Sequence, residues 1–159
     1  MTATSNAPVA TPQTVTTHED TAVAIVIAGT DPDGTTPMLA VASQPSNGAL
    51  TGTVPNLVYP PNANYFGSDS FTFTASDGTS SSAPATVSIT VNAVNDAPTA
   101  VSRTGASSVT TAEDTAVAIV LQASDVEGSP LSYRITTQPA RGSLSLTVKS
   151  MVLFFSGFT

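Results

Sequence analysis

The sequence of 159 residues contains no cysteine and no tryptophan, and only 9 % of its residues are charged. Without cysteine, the chain can form no disulfide, no thiolate metal site and no cysteine nucleophile. No apolar run is long enough to span a membrane, and residues 1–8 lack the basic and apolar regions of a signal peptide. We therefore expect no membrane insertion, and if the protein is exported we expect its signal outside this sequence.

Positive charge is missing from the first two thirds of the chain. Residues 1–102 contain seven acidic residues and no lysine or arginine, whereas residues 103–159 contain four residues of each sign. The first part therefore carries the whole net charge of −7, without lysine or arginine to form internal salt bridges. Because phosphate binding requires a basic surface, no nucleic-acid partner is expected.

Strand-forming residues alternate with polar ones along most of the first ninety residues. Apolar residues recur at every second position in residues 22–28, 69–75 and 86–91, which is typical of half-buried strands. Shorter candidate strands lie between turn signals rich in Pro, Gly, Asn and Asp, at residues 13–17, 38–42, 49–54 and 57–59. About seven short strands in about 90 residues predict an all-β, Greek-key sandwich.

An internal repeat organises the chain. Thr17–Gly34 recurs as Thr111–Gly128, an offset of 94 residues, and Ser5–Ala10 matches Asn95–Ala100 at an offset of 90. At the offset of 94, the apolar pattern of Val54–Tyr59 also matches Val148–Leu153, after which the two copies diverge. The repeat predicts a complete sandwich at 6–93, a linker at 94–98 and a second sandwich at 99–159, truncated after about five strands.

All eleven acidic residues fall in predicted loops or at strand edges. Because successive connections of a sandwich alternate between its two ends, the acids are expected to divide into two groups. One end gathers Asp31, Asp33 and Asp77. The other end gathers Glu19, Asp69, Asn95 and Asp96. It is expected to meet the next repeat, which adds Asp125 and Glu127 to this second group.

Several carboxylates without a nearby cation repel one another, by about 1 kcal/mol for a pair about 5 Å apart even in water. Hard oxygen ligands, without a cluster of His or Cys, favour calcium over a transition metal. The second group is therefore predicted to form an inter-repeat calcium site. The alternative is that each acid is an ordinary turn residue, since Asp and Asn form turns without any metal.

The motifs "EDTAVAI", "DPDG", "QPSNGAL" and "ATVSITVNAVNDAP" occur in this order across the first repeat and the linker that follows it. Their order resembles the cadherin-like tandem repeats of large bacterial surface and secreted proteins, over the whole first repeat and the second as far as about Leu146. The resemblance implies immunoglobulin-like sandwiches in an adhesin stalk, often with calcium between modules. It also places Asn6 at the position of Asp96, which makes Asn6, Asp31, Asp33 and Asp77 an incomplete N-terminal calcium site.

These observations predict a non-catalytic, calcium-binding structural and adhesion repeat of a large exported surface protein, located outside the cell or on its surface. The expected partners are neighbouring repeats of the same chain and a surface protein or glycan ligand. Catalysis is not expected, since the lone His18 is matched by Ala112 in the second repeat. The alternative function is a carbohydrate- or ligand-binding sandwich, with Tyr59, Tyr65 and Phe66 as candidate contact residues.

Overall fold

The computed structural model describes residues 6–102, 109–147 and 152–156. The chain divides into two units, Met1–Val94 and Asn95–Thr159. Within the described ranges, strands and turns account for all regular structure. These ranges contain no helix that is long and apolar enough to cross a membrane.

The described residues of the first unit form nine strands, which pair into two main sheets and one short two-stranded pair. The strands are β1 (Val9–Ala10), β2 (Gln13–His18), β3 (Val23–Val26), β4 (Gly29–Thr30), β5 (Met38–Ser43), β6 (Thr51–Thr53), β7 (Asn56–Tyr59), β8 (Gly67–Ser76) and β9 (Ala85–Asn92). One sheet has the order β2-β9-β8-β5, the other has the order β3-β7-β6, and β1 pairs with β4. Only the β2–β9 pairing is parallel among these described strands.

The core of the first unit is formed by the apolar faces of its two main sheets. In β9, apolar residues are buried and the intervening Thr and Ser residues are exposed, as strict alternation requires. Phe71 and Phe73 of the four-stranded sheet are completely buried. They belong to one core cluster with the buried Ile25, Leu57 and Tyr59 of the three-stranded sheet. Burial of each large apolar side chain stabilises the fold by about 2 kcal/mol. The predicted all-β sandwich is thus confirmed.

The second unit repeats this plan over a shorter length of chain. Its strands are β10 (Thr99–Ala100), β11 (Val117–Val120), β12 (Ala123–Ser124), β13 (Ser143–Thr147) and β14 (Val152–Ser156). The order β11-β14-β13 corresponds to β3-β7-β6 of the first unit, and the β10–β12 pair corresponds to β1–β4.

The register of β14 corrects the sequence alignment of the two repeats. Val117 lies opposite Phe155, whereas its counterpart Val23 lies opposite Tyr59. Phe155 therefore takes the place of Tyr59 at an offset of 96, and the offset of 94 predicted for this strand is wrong. The physical reason is the connection before the strand, because residues 148–151 separate β13 from β14 while only residues 54–55 separate β6 from β7.

Candidate metal centre

A tight turn after β2 carries Glu19 in the first unit. Thr21 N donates to the carbonyl of His18 (3.3 Å), and Thr17 Oγ1 donates to the carbonyl of Thr21 (2.8 Å). Asp20 adopts a left-handed backbone conformation (φ 55°), which Asp tolerates better than most residues. The turn therefore fixes the direction in which Glu19 leaves the strand.

The second unit forms the same turn one repeat later. Asp114 is left-handed (φ 58°), and Thr111 Oγ1 donates to the carbonyl of Thr115 at 2.8 Å. The residue that corresponds to Glu19 is Glu113, which is exposed. Two glutamates thus share one local conformation and differ in their burial.

Glu19 is buried, with 3 % of its surface exposed, and its backbone nitrogen donates to the carbonyl of Asn92 (2.9 Å). Its Oε1 accepts a hydrogen bond from Val94 N at 2.5 Å. Its Oε2 is buried and has no hydrogen-bond partner among the described residues. A buried polar atom left unpaired costs about 1–3 kcal/mol, so Oε2 is a position that requires a donor or a cation.

Asp20, next to Glu19 in the turn after β2, was not predicted from the sequence as a site residue. Its Oδ1 accepts a hydrogen bond from Asn64 N (3.0 Å), so it holds the loop before β8 to the turn after β2. The available signal was the repetition of Glu-Asp-Thr in both copies of the repeat, at Glu19–Thr21 and Glu113–Thr115.

The second unit brings together four of the predicted site residues, from its first residues and the loop after β12. Asp96 N donates to Glu127 Oε2 (3.0 Å), and Asp125 Oδ1 accepts from Ser129 N (2.9 Å). Asn95 Oδ1 accepts from the hydroxyl of Ser129 at 3.4 Å. Glu127 Oε1 is buried and has no hydrogen-bond partner among the described residues.

The donor chemistry in each unit fits calcium. Calcium binds six to eight carboxylate, amide and carbonyl oxygens in a flexible geometry. The first unit offers the unpaired Glu19 Oε2, and the second unit offers the unpaired Glu127 Oε1 beside Asn95, Asp96 and Asp125. All are hard oxygen ligands, and no His or Cys side chain takes part.

The predicted N-terminal residues form hydrogen bonds of their own. Asn6 N donates to Asp33 Oδ2 (2.6 Å), and Asp33 N donates to Asp31 Oδ1 (2.8 Å). The hydroxyl of Thr35 donates to Asp31 Oδ2. The structure thus brings Asn6, which precedes β1, into direct contact with Asp33 in the loop after β4, and Asp33 in turn contacts Asp31.

Asp77 forms a separate turn after β8. Its Oδ1 accepts hydrogen bonds from Thr79 N (2.7 Å), Thr79 Oγ1 (2.9 Å) and Ser80 N (2.6 Å). The pairing of Met38 with Ser76 places this turn at the same end of the sandwich as the residues that precede β5. These three hydrogen bonds are those of an ordinary Asp turn.

The structure gives Asp69 a role in the fold. Oδ1 accepts from Ser46 N (3.0 Å) and Ser70 N (2.8 Å), while Oδ2 accepts from Asn47 N (2.8 Å) and the hydroxyl of Tyr59 (2.8 Å). These four bonds occupy the acceptor capacity of a carboxylate. Asp69 was predicted as a calcium ligand, and it instead holds the loop after β5 against the core.

The same contacts shift the pKa values of both side chains. Burial raises the pKa of Asp69, but the hydrogen bonds from Ser46, Tyr59 and Asn47 outweigh it and leave the pKa below its ordinary value. Burial, together with the hydrogen bond to Asp69, raises the pKa of Tyr59 well above its ordinary value. Asp69 is therefore held ionised and Tyr59 is held neutral.

The repeat belongs to a known family. The model of the bacterial Ig domain matches the chain twice, at residues 5–90 and 95–154, so the chain belongs to the bacterial Ig domain family as a tandem repeat. This domain is typically a non-catalytic fold, and it usually occurs in extracellular surface proteins. No curated protein shows significant similarity to the chain.

Two solved structures show a weak likeness to the chain. The endo-fucoidan hydrolase MfFcnA4 from glycoside hydrolase family 107 is 24 % identical, with a TM-score of 0.45 over 95 % of this chain and 24 % of its own. The titin domains z1z2 in complex with telethonin are 16 % identical, with a TM-score of 0.42 over 99 % of this chain and 85 % of theirs. The chain thus spans about a quarter of the hydrolase, and likenesses this weak carry no argument about function.

Proposed function

We propose that the chain is a calcium-binding structural and adhesion module of a large exported bacterial surface protein. In this role, calcium bound where one repeat continues into the next makes the repeats a stiff spacer. The ligands we propose are Glu19, Asn95, Asp96, Asp125 and Glu127. Asp69 is not among them, because its oxygens already accept four hydrogen bonds.

The observation that carries the proposal is the buried carboxylate of Glu19. Its Oε1 holds the backbone of Val94, and the next two residues along the chain are Asn95 and Asp96. Its Oε2 is buried without a hydrogen-bond partner among the described residues. A structural turn residue gives no reason for an unpaired oxygen in this position, whereas a cation ligand does.

The charge distribution supports a cation as the missing partner. Residues 1–102 contain no lysine or arginine that could pair with Glu19. Extracellular calcium modules bind with dissociation constants of about 10⁻⁴–10⁻³ M, which at millimolar calcium stabilises the folded chain by about 1 kcal/mol. The larger consequence is geometric, because ligands drawn from both sides of a linker restrict the motion of that linker.

The test is a calcium titration of the full chain by isothermal titration calorimetry, with a matched pair of variants. Glu19→Gln keeps the size of the side chain and an oxygen for Val94 N, but removes the charge. Glu113→Gln makes the same change at the equivalent, exposed position of the second unit. We expect Glu19→Gln to weaken calcium binding by about tenfold or more and Glu113→Gln to leave it unchanged.

A wild-type chain that binds no calcium at millimolar concentration contradicts the proposal. An equal loss of calcium affinity in the two variants also contradicts the proposal. Such a loss would be a non-specific effect of charge, which does not distinguish a buried glutamate from an exposed one. The melting temperature provides a second readout, with an increase of about 3 °C expected in calcium over EDTA for a chain of this length.

The geometry does not favour the alternative of a carbohydrate-binding surface. Tyr59 is fully buried, and Tyr65 packs against the core with its hydroxyl bonded to the carbonyl of Ser68 (2.6 Å). Only Phe66 of the three candidate aromatic residues is largely exposed, at 43 %. A single exposed ring offers little area for stacking on a sugar.

A further inference from the structure

Each unit has a loop with two acidic residues, called here its acid loop: residues 31–35 in the first unit and residues 125–129 in the second. Each acid loop accepts an equivalent hydrogen bond from the start of its own repeat. In the first unit, Asn6 N donates to Asp33 Oδ2 (2.6 Å), and in the second, Asp96 N donates to Glu127 Oε2 (3.0 Å). Each donor lies two residues before the proline of an Ala-Pro pair, and each acceptor is the second acid of its loop. The two bonds therefore join the same two positions of the repeat.

The side chain at the donor position differs between the two units, because Asn6 carries an amide and Asp96 carries a carboxyl group. Asn6 Nδ2 donates to Asp33 Oδ1 at 3.0 Å, so that Asn6 contributes a donor to each oxygen of the carboxylate. The opposite orientation of the amide would set its oxygen against a carboxylate oxygen, so the contact itself identifies the nitrogen. Asp33 thus obtains two neutralising donors from one residue of its own chain.

Asp96 has no side-chain donor to offer when it is ionised. Glu127 therefore receives only the backbone bond of Asp96 from this position. Its Oε1 is buried and unpaired within the part of the chain that the structure describes. Glu127 thus lacks the side-chain donor that Asp33 has, and a divalent cation would neutralise the oxygen that is left unpaired.

We propose that the residue at this position, Asn6 or Asp96, determines whether the acid loop of a repeat requires a hard divalent cation. Asn6 provides the hydrogen-bond donor that Asp33 requires, so the first acid loop is complete without metal. Asp96 leaves the second acid loop dependent on calcium. This inference rests on the proposed function and refines it, since it makes calcium specific to one of two homologous loops.

The test exchanges the two side chains in the full chain and titrates each variant with calcium chloride. Asn6→Asp places a carboxylate beside Asp33. Asp96→Asn gives the second unit the amide that the first unit carries at this position, and Asn6→Ala removes the amide of the first unit without adding charge. Asn6 is exposed, so its substitution leaves the core intact, and a thermal melt checks this. Amide chemical shifts of residues 31–35 and 125–129, recorded by NMR, identify the loop to which calcium binds.

We expect Asn6→Asp to gain calcium-induced shifts at residues 31–35 that wild type and Asn6→Ala lack. We expect Asp96→Asn to weaken the calcium-induced shifts at residues 125–129 by about tenfold in calcium concentration. Shifts at residues 31–35 that are as large in wild type as in Asn6→Asp overturn the inference, and so does the absence of a gain in Asn6→Asp. If Asn6→Asp gains calcium-induced shifts while the wild-type chain shows no response to calcium, the inference is supported for the first loop and the proposed function is overturned.

Discussion

The hydroxyl of Tyr59 donates to Asp69 Oδ2 at 2.8 Å, in the core of the first unit. Tyr59 lies on β7 of the three-stranded sheet, and Asp69 lies on β8 of the four-stranded sheet, so this bond joins the two layers of the sandwich. It satisfies a phenol that is fully buried and a carboxylate that is 9 % exposed. The loop of Ser46 and Asn47 is held by the same carboxylate.

Removal of this hydroxyl is expected to destabilise the first unit. Tyr59→Phe keeps the ring in the core but removes a hydrogen bond to a charged group, and we expect the free energy of unfolding to fall by about 2 kcal/mol. The matched control is Tyr65→Phe, whose hydroxyl bonds a backbone carbonyl and is expected to cost less than about 1 kcal/mol. Urea denaturation measures the free energy of unfolding of both variants. Equal losses would show that the buried hydrogen bond to Asp69 stabilises the unit no more than the bond of Tyr65 does.

Asp69 is expected to make the stability of the first unit depend on acid pH. Its pKa in the folded state lies below its ordinary value, so the unfolded chain binds more protons as the solution becomes acidic. The stabilisation is fully present above the ordinary pKa of an aspartate, and it is lost as the pH falls below that value and through the lower pKa of the folded state. Asp69→Asn should flatten this part of the pH profile relative to wild type, and an unchanged profile in the variant would contradict the assignment.

Tyr59 is expected to make the stability of the first unit depend on alkaline pH. Its pKa is raised on folding, so the unfolded chain loses its proton first, and stability declines above about pH 10. Tyr59→Phe should reduce this alkaline decline when unfolding is followed by circular dichroism. A decline of the same size in Tyr59→Phe would place its origin in another group.

The longer strands of the first unit could be predicted because alternation of apolar and polar residues has the period of a strand. Residues 86–91, for example, were predicted as a strand and form the centre of β9 (Ala85–Asn92). The two-residue strands β1 and β4 were not predicted. The role of Asp69 could not be predicted, since its partners Ser46 and Asn47 are 23 and 22 residues away. An acid before a strand has the same sequence signature whether it binds a metal or accepts backbone hydrogen bonds.

The register of β14 was missed for a related reason. An apolar pattern of period two matches itself again after a shift of two residues, so Val54–Tyr59 aligns with two different segments of the second repeat. Only the pairing of Val117 with Phe155 distinguishes them. The contact between Asn6 and Asp33, which underlies the further inference, likewise joins residues 27 positions apart and requires the fold.

Gly48 is expected to be essential for the packing of Tyr59. A Cβ atom at this position would lie 2.4 Å from Tyr59 Cε2 and 2.6 Å from the carbonyl oxygen of Pro60. We expect Gly48→Ala to lower the free energy of unfolding by about 3 kcal/mol, because Tyr59 is fully buried and cannot move aside. Gly78→Ala is the control, since its Cβ meets open space and only the left-handed backbone (φ 93°) costs about 1 kcal/mol. Similar values for the two variants in urea denaturation would exclude the steric explanation.

Calcium is expected to restrict the linker between the two units. Because the chain has no cysteine, the double variant Ser88→Cys with Gln122→Cys carries spin labels at only two exposed sites, one in each unit. We expect the distance distribution from electron paramagnetic resonance to be narrower in calcium than in EDTA, and Glu19→Gln to abolish the difference. A pair of labels within the first unit, at Thr51 and Ser88, should show no response to calcium. A distribution across the linker that is equally broad in calcium and in EDTA would contradict the stiff-spacer function, even if calcium binds.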